Sequence, residues 1–101
     1  MLNRFSVEQI DGMLLSLAKQ LYNLYPDNPA GTPDDLANRF TPELTGAEFM
    51  ELISIGKEYH KITYSMQFRN GRYHISGLRE CPAYILLYQF SPKDTGQSKV
   101  K

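Results

Sequence analysis

Four residues in this chain could in principle hold a metal ion or run nucleophilic chemistry: His60 and Cys81, with Glu58 and Glu80 close to them in sequence. A metal site needs three or four such donors and usually starts from a short C-x-x-C or H-x-x-x-H spacing, and neither spacing occurs. Cys81 with His60 or His74 could supply a thiolate and its base. A lone cysteine placed before Pro82 and an apolar run reads first as a small packed residue. Asp34 and Asp35 are adjacent carboxylates, but they fall where a helix takes acidic residues in its first turn, and capping explains them without catalysis. There is no glycine-rich phosphate loop, no G-x-S-x-G and no H-E-x-x-H. The expectation is a non-enzymatic protein with no metal and no cofactor.

Charge is the next source of chemistry. The formal net charge is zero, yet it is unevenly placed. Residues 1–56 set Arg4, Lys19 and Arg39 against eight carboxylates, a formal −5. Residues 57–101 set eight Lys and Arg against Glu58, Glu80 and Asp94, a formal +5. Such asymmetry points to charged partner surfaces, or to halves that attract each other. No apolar run approaches the roughly 18–20 residues that span a bilayer, and the first residues lack the apolar core of a signal peptide. With a single cysteine, no internal disulfide can form, which fits a cytoplasmic protein.

The elements that must position these residues can be read from capping and period. Ser6-Val7-Glu8-Gln9 is a capping box, with Phe5 and Ile10 at the staple positions. Ile10, Leu14, Leu17, Leu21 and Leu24 then lay an apolar stripe along one helical face until Pro26 ends the helix. This heptad-like spacing would also suit a homodimer through helix 7–25. Gly12 inside the helix costs about 1 kcal/mol against alanine, which predicts a close approach by another element. Thr32 with Pro33 starts a short second helix ending near Phe40, and Thr45-Gly46-Ala47-Glu48 is a second capping box that starts a third, for which Thr41-Pro42 is the alternative start. On that third helix Phe49, Leu52, Ile53 and Gly56 share a stripe, with Glu48, Glu51 and Glu58 on the other side.

The period then changes to two. Ile62, Tyr64, Met66 and Phe68 alternate with polar residues, and after Asn70-Gly71 so do Tyr73 and Ile75. Asn-Gly is the preferred pair of a type I′ hairpin turn. The register that follows sets Arg69 against Arg72, Phe68 against Tyr73 and Met66 against Ile75, with the aromatic residues on the apolar face and counted as core. A run apolar on both faces, 83–90, predicts a third, buried antiparallel strand, and 92–101 has the composition of a loose tail. The fold class expected is α+β, a single domain over 1–91: three helices, then a hairpin and a third strand, either a small meander on the helices or a winged-helix-like arrangement.

The segment DDLANRFTPELTGAEFMEL resembles a helix-turn-helix, with Leu36, Ala37, Phe40, Ala47 and Met50 where that family keeps small and apolar packing residues. The resemblance implies DNA reading. Two departures oppose it: Thr41, followed by Pro42, stands where the turn prefers glycine, and the reading helix offers Glu43, Glu48 and Glu51 but no lysine or arginine. Phosphate repels such a surface.

The function expected is therefore binding to another protein, as a small adaptor, inhibitor or regulator of the kind found among bacterial and phage accessory proteins. Its candidate contacts are an acidic helical face (Asp34, Asp35, Glu43, Glu48, Glu51), the basic hairpin tip (Arg69, Arg72), and Tyr84 and Tyr88 on the last strand, since tyrosine is enriched at interfaces. The alternative is a nucleic-acid binder that uses the basic hairpin 67–75.

Overall fold

Capping decides where each helix begins. Ser6 caps α1 (Val7–Leu24): its Oγ accepts from the Gln9 N–H at 3.1 Å, and Gln9 Oε1 accepts from the Ser6 N–H at 2.8 Å. Thr32 caps α2 (Pro33–Phe40), its Oγ1 accepting from the Asp35 N–H at 3.3 Å, with Pro33 at the first helical position. Thr45 caps α3 (Gly46–Glu58) through a second reciprocal box closed by Glu48. The first two starts lie where the sequence places them, and of the two open to the third helix, Thr45 rather than Thr41-Pro42 is used. The structure, a computed structural model, describes residues 2–81. Its elements follow the order of a 3₁₀ turn at Leu2–Arg4, α1, α2, α3, β1 (Ile62–Arg69) and β2 (Arg72–Glu80), an α+β architecture.

The core is one cluster to which every helix and both strands contribute. Leu14, Leu17 and Leu21 of α1 meet Leu36 and Phe40 of α2, Phe49, Leu52 and Ile53 of α3, and Ile62, Ile75 and Leu78 of the hairpin. Each such side chain contributes about 1.5–3 kcal/mol by leaving water. The centre of the leucine stripe is thus buried against the chain's own sheet and helices, which leaves no free leucine seam for the expected pairing of two copies through helix 7–25. The close approach expected at Gly12 is found elsewhere. Gly12 is exposed, and a Cβ there would meet nothing within 4 Å. At Gly56 a Cβ would stand 3.0 Å from Leu14 Cδ2 and 3.2 Å from Ile62 Cβ, where α1, α3 and β1 converge.

The hairpin has the expected register, Arg69 with Arg72, Phe68 with Tyr73 and Met66 with Ile75. Asn70 and Gly71, at φ +53° and +75°, make the turn with both central residues left-handed, as a type I′ turn requires. β2 continues well past Ser76 to Glu80. It does so through a bulge: Ser65 pairs with Ser76 and Thr63 with Arg79, so Gly77 and Leu78 together oppose Tyr64. Gly77, at φ +62°, supplies the left-handed residue, and the extra position changes the parity of β2 so that Leu78 and Glu80 turn inward with Ile62. The third strand is not seen: the described residues hold two strands, and the run 83–90, with Tyr84 and Tyr88, lies outside them, as does 92–101. On β2 the N–H and C=O of Ile75 instead pair with Gly31, in the connector between α1 and α2, at 2.8 and 2.9 Å. No helix among the described residues is long and apolar enough to cross a membrane.

Candidate functional site

Burial along β1 falls steadily toward the turn. Ile62 is buried, Tyr64 and Met66 are half-buried, and Phe68 is 64 % exposed although it lies on the same face. Across from it Tyr73 is 45 % exposed. The hairpin outruns the helices that cover its base, so the expectation that these two aromatics belong to the core is overturned. They pack on each other edge to face, with ring centroids 4.9 Å apart. The next pair outward is Arg69 and Arg72, both exposed and directly opposite each other. Like charges at such a position are locally unfavourable.

The base of this tip opens into a cleft of about 420 Å³. Thr32, Pro33 and Asp34 at the start of α2 form one wall, Gly46, Ala47 and Met50 of α3 another, and Arg72 and Tyr73 the third. Two candidate residues that lie far apart in sequence, Asp34 and Arg72, are therefore brought to one place. Asp35 and Glu43 are exposed on the helical side.

The rest of the acidic face is differently employed. Glu48 is only 3 % exposed, and its carboxylate is fully engaged. Oε2 accepts from Arg4 Nε at 2.7 Å, while Oε1 accepts from Arg4 Nη2 and from the Thr45 N–H, each at 3.0 Å. The Arg4 guanidinium, with the Thr45 backbone bond, holds the Glu48 carboxyl down at about 2, from an ordinary 4.5. Glu51 Oε1 accepts from the Leu2 N–H at 3.0 Å. Together these carboxylates fasten the Leu2–Arg4 turn to α3, with Leu2 buried in the core, so Glu48 and Glu51 act inside the fold. The helical period could not show this, because the turn that takes up Glu48 lies more than forty residues away in sequence.

The residues considered for metal or nucleophilic roles are placed separately. Among the described residues there is no group of three or more His, Cys, Asp or Glu side chains able to hold a metal. Cys81 donates its backbone N–H to the Lys61 carbonyl at 2.9 Å and packs its side chain near Ala18. Burial pushes its thiol up, and the neighbouring Glu80 carboxylate adds to that, which disfavours the thiolate a nucleophile needs. His60 is exposed in the α3–β1 turn and His74 is half-buried on β2. Glu80 faces the core, its Oε2 3.4 Å from Arg79 Nη2.

No family model, no curated protein and no solved structure matches the chain.

Proposed function

We propose that this protein acts by binding another protein, as a small adaptor, inhibitor or regulator, and that the hairpin tip with its adjoining cleft is the contact surface. One observation carries the reading. Phe68 and Tyr73 are held against each other in the open, one rung below the exposed pair Arg69 and Arg72, at positions whose alternation would otherwise bury them. Aromatic residues and arginine supply most of the binding energy at protein interfaces, where a recess beside the anchor excludes water. Asp34, lining the same cleft as Arg72, adds a charge of opposite sign, which favours a partner with mixed polarity over a uniform polyanion. Asp35 and Glu43 extend the surface on the helical side.

The same aromatics beside arginines also suit a single-stranded nucleic acid, whose bases stack on exposed rings. The two readings separate cleanly. Affinity capture with the wild-type chain and with a Phe68→Ser, Tyr73→Ser double variant should retain a protein on the first and lose it on the second. Both substitutions lie on exposed side chains, so the fold should survive. Equal capture by the two chains would sink the proposal. Anisotropy of labelled single-stranded DNA and RNA showing micromolar binding that weakens steeply with salt would transfer the tip to nucleic acid.

A further inference from the structure

A second recess lies away from the hairpin tip, between the beginning of α1 and the end of α3. It has a volume of about 460 Å³. Ile10 and Ile55 are half-buried in its floor, and Val7 and Tyr59 form its walls. Val7 is 72 % exposed and Tyr59 64 %, comparable with Phe68 at the tip. Each helix also places one carboxylate at the edge, Asp11 from α1 and Glu58 from α3, and among the described residues neither forms a salt bridge. Lys61 lies at one end.

We infer that this recess is a second docking site, and that its occupant is an amphipathic helix of a partner protein with an apolar face flanked by Lys or Arg. Charge complementarity is the argument for the cationic flank. Two carboxylates on opposite helices against one cation, Lys61, leave the lining net negative, which repels an acidic segment and favours a basic one as water is excluded. The argument for a helix is geometric. The recess runs between two packed helices, where the ridges of a third can lie, and an occupant meeting both walls needs anchors at i, i+3 and i+4 spacing. The site is independent of the hairpin tip, so a chain using both would join two partners, which is what an adaptor does.

The test uses the full chain and a fluorescein-labelled peptide of about four helical turns built from leucine on one face and lysine on the other. Two controls accompany it: the same composition in scrambled order, and the same pattern with glutamate for lysine. Saturable binding of the patterned lysine peptide is expected, at least about tenfold tighter than either control, or about 1.4 kcal/mol. Tyr59→Ala and the Asp11→Lys, Glu58→Lys double variant should each weaken it by a similar factor, and Arg69→Glu with Arg72→Glu should leave it unchanged. All substituted side chains are exposed, and denaturant midpoints verify folding. Equal binding of the scrambled peptide, or of the lysine peptide by the variants, would overturn the inference. Sedimentation showing a dimer that Tyr59→Ala dissolves would overturn it too, by assigning the recess to a second copy. Failure here leaves the hairpin proposal standing, because the two experiments share no residue.

Discussion

Glu48 does two jobs, closing the α3 capping box and receiving both Nε and Nη2 of Arg4, and its titration should be visible in the stability of the protein. A carboxyl held at about 2 when folded and near 4.5 when unfolded contributes stability that is fully present above pH 4.5 and is lost as the pH falls toward 2. Denaturant midpoints measured across that window should decline for the wild-type chain. For Glu48→Gln they should start lower and decline less. At Cys81 the raised thiol predicts slow modification by Ellman's reagent near neutral pH, accelerating to the rate of an ordinary cysteine once the protein is unfolded. The hairpin arginines give the third residue-scale expectation. Arg72→Glu turns a facing pair of like charges into an attractive one and should raise stability by about 0.2–1 kcal/mol, while reducing partner binding. A position where stability and binding move in opposite directions is expected of a contact surface rather than of structural filler.

Among the elements, the helix starts and the hairpin register could be read from the sequence because each rests on contacts within a few residues: a hydroxyl and an amide three positions on, or two residues that accept positive φ. What escaped was set by distant parts of the chain. Glu48 looks like a surface glutamate until the Leu2–Arg4 turn arrives, and Phe68 looks like core until the helical layer ends short of it. Gly12 and Gly56 make the same contrast. Both interrupt a helix, and only the packed structure says which one is needed. Gly12→Ala, in open space, should stabilise the protein by about 1 kcal/mol through helix propensity alone. Gly56→Ala forces a methyl against Leu14 and Ile62 and should destabilise it by about 1–3 kcal/mol. Urea midpoints of the two variants, displaced in opposite directions from wild type, would check both. In β2, Gly77 interrupts the alternation that runs through Tyr73 and Ile75, and it is the bulge that lets the strand continue.

At the scale of the molecule, one core draws on all the helices and both strands, so the chain should unfold as a single cooperative unit. With Leu14, Leu17 and Leu21 already committed to that core, the melting temperature should not depend on protein concentration over about a hundredfold range. A concentration-dependent melt would point to association through another face. The two recesses differ in charge: the one beside the tip carries Arg72 with Asp34, and the one between α1 and α3 carries Asp11 and Glu58 with Lys61.

The pairing of Gly31 with Ile75 has a consequence for how contact at the tip is felt elsewhere. Gly31 immediately precedes Thr32, the residue that caps α2, so two hydrogen bonds bind the hairpin arm to the first turn of a helix. The arm is therefore fastened to that turn at Ile75, below the tip. In hydrogen-exchange experiments the amides of Gly31 and Ile75 should open together, and a bound partner should slow both by the same factor, although neither residue lies at the tip.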